Sequence, residues 1–298
     1  MKFLLVSYND SDGVGQVVLN LNKELNKKGY ESKMLVLNKT NNDRNLYKIP
    51  RSFPKRIFFY LLEFLKKRYE DLFSFGNSTI SYKSIKDYID KSDIIIIYTL
   101  HKFLNLKMLS KIMEQKKEVY LRPLDMELAT GGCHVNFLFH NGQECQKYLS
   151  GCNFCPKLNK LNFFNISNLI YEKKKVFMEK YKPKIILENK FTRNFYQKSP
   201  ITKYAKNDFI YLNTRESRKL KINKTDARKE FNFKNNEKIL LFGTYNLNAP
   251  HKGGRLLEEI LKLFVNYSLK QDKNFFNNEK LKLITFGRQQ GVKINVPN

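Results

Sequence analysis

Four consecutive isoleucines, Ile94 to Ile97, stand between Asp93 and Tyr98 in the run DIIIIYTL. A half-exposed strand alternates apolar and polar residues, so an unbroken β-branched run fits a strand covered on both faces, as in a parallel sheet with helices above and below. The run is far short of the ~20 apolar residues that span a bilayer. Its surroundings repeat the theme. KFLLVSY is followed by the glycine turn NDSDGVGQ, and then Val17, Val18, Leu21 and Leu25 recur at helical spacing until Gly29. SKMLVL predicts a second strand, and a polar segment follows. Ser84 to Lys91 predicts the end of a helix entering the isoleucine strand, and a helix around Phe103 to Gln115 leads into EVYLR. Repeated β-α-β order predicts an α/β fold with a doubly wound parallel sheet.

From Pro123 to Pro156 the periodicity vanishes. It returns with NLIYEKKKVFMEKY as a helix, IILE as a strand, FTRNFYQK as a helix and DFIYLN as a strand. The polar, basic stretch Asn213 to Thr225 suits a crossing between domains. ARKEFNF, KILLFGTY, GRLLEEILKLF and LKLITFG then predict helix, strand, helix and strand. With 298 residues there is room for two domains. The expected organisation is a first domain over 1–215, carrying an irregular insert at 123–157, and a second over 216–298. Two strands make a poor independent parallel sheet, so the second domain is expected to be incomplete and the chain cut short.

The net charge is +27, from 55 Lys and Arg against 28 Asp and Glu. Such a balance draws a protein toward phosphates, nucleic acid or an anionic leaflet. A chain rich in Lys, Asn, Ile and Phe and devoid of Trp also carries the bias of an AT-rich gene. The N-terminus MKFLLVSYNDSDG turns acidic before a secretory core could fit, so a cytoplasmic location is expected. PKRIFFYLLEFLKKR joins a wide apolar face to basic ends. That pattern fits a helix lying on an anionic membrane surface, and equally a core-facing helix with solvated flanks.

All four cysteines lie in the irregular insert, spaced Cys133-x11-Cys145-x6-Cys152-x2-Cys155, with His134 and His140 among them. In a cytosolic chain this density favours a metal over disulfides, and structural zinc is the leading candidate because four thiolates satisfy its tetrahedral preference. Packed reduced thiols and redox-labile pairs are the alternatives.

The segment LDMELATGGCHVNFLFHNGQECQKYLSGCNFCPKL resembles the cysteine-bearing loop of a subgroup of family 4 glycosyltransferases from bacterial surface-polysaccharide pathways. The elements that match are Asp125-Met126, Thr130 to His134, Cys145, and Gly151 to Pro156. SDGVGQVVLNLNKELNKKGYES resembles that family's first glycine turn and helix, and ARKEFNFKNNEKILLFGTYNLNAPHKGGRLLEEIL the opening of its second domain. The resemblance implies a GT-B fold, two Rossmann-like domains with the second incomplete here. It implies transfer of a sugar from a nucleoside diphosphate sugar to a lipid-linked or polysaccharide acceptor, with retention of configuration and no catalytic metal. The family's glutamate pair has no counterpart in these residues, so the chain as it stands is expected to have little activity.

Individual residues follow from both readings. Gly13 and Gly15 could bring backbone N–H groups to a phosphate or sugar at a helix N-terminus, or serve a plain turn. Gly243 ends a predicted strand, and Lys252-Gly253-Gly254 opens the next helix. A lysine there could neutralise a donor diphosphate, as the resemblance implies, or be one more solvated lysine. Tyr245 and Asn246 stand where many relatives carry an arginine. Asp125 is the catalytic candidate, accepting hydrogen bonds from sugar hydroxyls, with loop capping as the alternative. Leu124 precedes it where many relatives have a histidine, so no catalytic histidine is carried over. His101 and His134 stay unassigned. The readings from other classes are a zinc-stabilised nucleic-acid-binding protein and a non-catalytic remnant. No basic-aromatic binding module stands out, so a nucleic-acid partner is not expected.

Overall fold

The computed structural model describes residues 1–64, 73–136, 143–158, 165–208, 223–244, 252–271 and 280–287. The chain divides into two units, Met1–Leu212 and Asn213–Asn298.

In the first unit β1 (Lys2–Val6) turns into α1 (Gly13–Lys27) and returns as β2 (Glu31–Val36). Asp12 caps α1, its carboxylate accepting from Gly15 N at 2.6 Å. Gly29 beyond the C-terminus takes the left-handed conformation that ends helices (φ 86°). Next come β3 (Leu46–Lys48), α2 (Phe53–Phe64), α3 (Lys83–Asp90), β4 (Ile94–Ile97), α4 (Leu106–Met113) and β5 (Glu118–Leu121). After the cysteine loop follow α5 (Ile166–Tyr181), β6 (Lys184–Ile186), α6 (Lys190–Lys198) and β7 (Lys206–Asp208). Every pairing is parallel and the strand order is β3-β2-β1-β4-β5-β6-β7.

Alternation along the strands covers both faces. Leu4, Val6, Ile95 and Ile97 point to the side packed by Ile85 and Ile89 of α3, Leu109 of α4 and Met178 of α5. Leu5, Met34 and Val36 point to the other, against Val18 and Leu19 of α1, with Ile96 partly buried beside them. The fold class is therefore α/β with a doubly wound parallel sheet.

Three expectations change in detail. β3 lies inside the segment read as merely polar, a three-residue edge strand pairing beyond β2. The helix placed at Phe103 begins at Leu106, because Asn105 caps it by accepting from Met108 N at 2.9 Å. Phe103 and Leu104 are buried ahead of the helix instead. In the second unit α7 (Lys224–Glu230) starts earlier than ARKEFNF, again at an asparagine cap, Asn223. It precedes β8 (Glu237–Gly243), α8 (Gly254–Gln271) and β9 (Lys280–Phe286), and β8 and β9 form a parallel pair. Among the described residues no helix is long and apolar enough to cross a membrane. Residues 65–68 of the basic-apolar segment, His140, most of the proposed crossing at 213–222, and Tyr245 and Asn246 lie outside the described residues.

Candidate functional site

Strand order reverses direction between β1 and β4, the usual ligand position in such sheets. The crevice lies one strand along, between the carboxyl ends of β4 and β5, where Tyr98, Thr99 and Leu100 line it with Pro123, Asp125 and Glu127. Arg122 fixes this edge. Nearly fully buried, it donates to the Tyr98 hydroxyl at 2.5 Å and pairs with Glu188 beyond β6, tying three strand ends together.

Asp125 uses both oxygens. Oδ1 accepts from Glu127 N at 2.8 Å, just ahead of a short 3-10 turn over Glu127–Ala129, and Oδ2 meets His134 Nδ1 at 2.7 Å. With Asp125 ionised, Nδ1 carries the hydrogen and Nε2 is left for other work. The loop closes on itself through Met126 N to His134 O at 2.9 Å, and the Tyr196 hydroxyl of α6 donates to Asp125 O at 2.9 Å. Burial opposes both charges, raising Asp125 and lowering His134. Their mutual attraction outweighs it, so the carboxyl sits below its ordinary value and the imidazole above. Because 38% of the Asp125 side chain is exposed, the pair is not sealed from the crevice. A carboxylate-oriented imidazole can hold or move a proton at Nε2.

Two further groups join this pair, and sequence reasoning assigned neither. The His101 ring, from the loop after β4, stands edge-on to His134 with centroids 5.0 Å apart. Glu127 is 4% exposed, and its Oε1 has no hydrogen-bond partner among the described residues. Behind them the buried Lys174 of α5 donates to the backbone carbonyls of Glu127 and Thr130, the latter at 3.0 Å. Burial pulls its ammonium below the ordinary lysine range. A buried lysine inside an otherwise apolar helix face was the available signal for Lys174. Nothing in the spacing of residues 101, 127 and 134 foretells their meeting, because the order of parallel strands brings them together.

The cysteine loop packs beside this edge. Cys133, Cys145, Cys152 and Cys155 all line one cavity of about 20 Å³, with Thr130, Tyr148 and Lys147. The loop gets in through Gly132, whose φ of 130° suits glycine and where an added Cβ would lie 2.4 Å from Ser74 O. Gly131 N donates to Cys152 Sγ at 3.2 Å. All four are free cysteines. Contact with Cys155 and burial push the Cys133 thiol well up, and burial raises Cys152 to about 11. Among the described residues the set of three ligand atoms close enough to share an ion is His101, Glu127 and His134, all within 4.8 Å of one another. The cysteine sulfurs form no such set.

The glycine and lysine candidates separate. Gly15 is required by close approach, since a Cβ there would lie 2.6 Å from Asn9 O, and its N–H is already bonded to Asp12. Gly13 has open space before it. Gly243 lies beneath the Phe286 ring of β9, and Gly253, at φ 79°, makes the turn into α8 beside the exposed Lys252. These three belong to the second unit, and Asp125, Gly13, Gly15 and the cysteines to the first.

No family model matches this chain, and no curated protein matches it. Among solved structures it is similar to a "ugt transferase" from Siraitia grosvenorii in complex with UDP. The identity is 10%, the coverage 97% of this chain and 72% of that one, and the TM-score 0.43. The α/β class stands on the strand order above and not on this loose superposition.

Proposed function

We propose that the protein is a glycosyltransferase that moves a sugar from a nucleoside diphosphate sugar to a lipid-linked or polysaccharide acceptor, with retention of configuration. The observation that carries this reading is the Thr130 to His134 and Gly151 to Pro156 pattern, with Asp125 in the crevice at the carboxyl ends of β4 and β5, one strand from the switch point where parallel α/β sheets bind ligands. Asp125 would accept from a sugar hydroxyl through its exposed edge while His134 holds its other oxygen. Lys252 and the N-terminus of α8 would neutralise the donor diphosphate in the second unit. The four cysteines facing one cavity support a zinc staple, reached by side-chain rotation that draws the sulfurs inward. Exposed apolar residues along α2, with basic neighbours, support docking on an anionic membrane surface from the cytoplasmic side.

Titration calorimetry against a panel of nucleoside diphosphate sugars, followed by transfer to a lipid-diphosphate acceptor, tests the activity. One donor is expected to bind with saturation, weakly because the glutamate pair has no counterpart in these residues, and Lys252→Ala to weaken it further by about 1.5–3 kcal/mol, the worth of a charge-assisted hydrogen bond. Loss of Asp125 should cut turnover by about 10². Binding of no donor by the folded protein, or equal affinity in Lys252→Ala, would overturn the assignment.

A further inference from the structure

The geometry points to a divalent transition-metal site formed by His101, Glu127 and His134, of which Glu127 also lines the crevice, independent of the glycosyl-transfer reading. Two imidazoles and a carboxylate present ligand atoms within 4.8 Å of one another. A tetrahedral ion with bonds of about 2.0–2.1 Å sets its ligands a little over 3 Å apart. Small rotations of three side chains close that gap without moving a strand.

The second observation is Glu127 itself. Burying a carboxylate oxygen with no hydrogen-bond partner is costly unless something cationic faces it. Its Oε1 has no such partner among the described residues, one of its carboxylate oxygens lies within reach of both histidines, and the Lys174 ammonium attracts it through space while donating its own hydrogen bonds to backbone carbonyls. The third is the support behind His134. Asp125 takes Nδ1 at 2.7 Å, which fixes the ring and leaves Nε2 as the ligand, the carboxylate–histidine–metal arrangement. Oxygen and imidazole donors without sulfur suit zinc, and equally cobalt, iron or nickel in the divalent state. Three protein ligands leave a coordination position, and Asp125 and Glu127 both line the crevice. A hydroxyl or phosphate oxygen entering the crevice could occupy it.

Cobalt(II) is the probe, because its spectrum separates this site from the cysteines. Full-length protein, stripped by chelation under reducing conditions and titrated with Co²⁺, should take up a sulfur-free ion with weak visible bands. Any cobalt on the cysteines would add thiolate charge transfer in the near ultraviolet. Glu127→Gln, nearly isosteric, and His101→Ala should each lose the sulfur-free ion or bind it at least tenfold more weakly, with the charge-transfer component unchanged. Asp125→Asn, acting through His134, should weaken it by about 10–100-fold. A wild-type titration in which every bound cobalt shows thiolate charge transfer, or in which none binds, overturns the site. Wild-type affinity in both Glu127→Gln and His101→Ala does the same. Should Glu127→Gln fail to fold, the wild-type spectrum and His101→Ala decide. No readout involves sugar transfer, so failure here is distinct from failure of the proposed activity.

Discussion

Asp10, at the end of the loop leaving β1, has a fully buried side chain that accepts from Thr40 N at 2.9 Å, Thr40 Oγ1 at 2.9 Å, Asn41 N at 2.7 Å and Asn41 Nδ2 at 3.1 Å. Burial acts to raise its carboxyl, but these donors outweigh it and hold the pKa below the ordinary value. A depressed folded-state pKa contributes stability that is present above the unfolded value, about 3.9, and is lost as pH falls through the folded value. Asp10→Asn turns a donor toward other donors and should cost about 1.5–3 kcal/mol at neutral pH. Urea unfolding of both proteins across the acid range should show that gap shrinking below about pH 4; a gap independent of pH would refute the account. Asp10 was invisible in the sequence, one carboxylate in NDSDG, because its partners come from the loop after a different strand. Asp125 was singled out by its motif. Its partner His134 was not, since a loop without periodicity gives no way to tell which of its polar residues face each other.

Elements were legible wherever periodicity was strong. The isoleucine run became β4, covered on both faces, and the glycine turn became the capped start of α1. β3 escaped because three residues at a sheet edge carry too little pattern, and helix starts shifted to asparagine caps that composition alone does not single out. The basic-apolar segment left two readings, core helix or interface helix, and the proposed membrane docking rests on the exposed face of the described part of α2. Phe53, Ile57, Tyr60 and Leu61, which share one face by their i, i+4, i+7, i+8 spacing, are 72%, 49%, 58% and 62% exposed. Arg56 is exposed nearby, and Lys55 is half-buried, donating to Ile80 O at 2.6 Å. Replacing Ile57 and Leu61 with Asp should leave folding intact and remove binding to anionic vesicles in a flotation assay. Each apolar side chain withdrawn should cost about 1.5 kcal/mol, roughly tenfold. Equal flotation of variant and wild type, or equal binding to neutral and anionic vesicles, would return α2 to the core-facing reading.

For the whole molecule, the two units differ in how much apolar surface they bury, and thermal unfolding should separate them. The first, in its described part, carries a seven-stranded sheet with helices on both faces and the cysteine loop. The second, in its described part, has two strands and leaves Leu241, Leu263 and Phe286 at 63%, 69% and 58% exposure. Since apolar burial supplies most of the driving force for folding, the second unit should melt first in scanning calorimetry. A zinc staple on the cysteines would stabilise only the first. Zinc at a thousandfold excess over its dissociation constant contributes about 4 kcal/mol, and a unit of some 200 residues gains about 2–4 °C per kcal/mol. Adding zinc to stripped protein should therefore raise the higher transition by about 8–16 °C and leave the lower one in place. Cys155→Ser should abolish most of that rise, and Glu127→Gln only the smaller share owed to zinc on the histidine cluster. That contrast assigns the stabilisation to the loop and not to the histidine cluster in the same unit. A single cooperative transition would show that the units unfold as one body, and a zinc shift undiminished in Cys155→Ser would remove the cysteines from the account of this fold's stability.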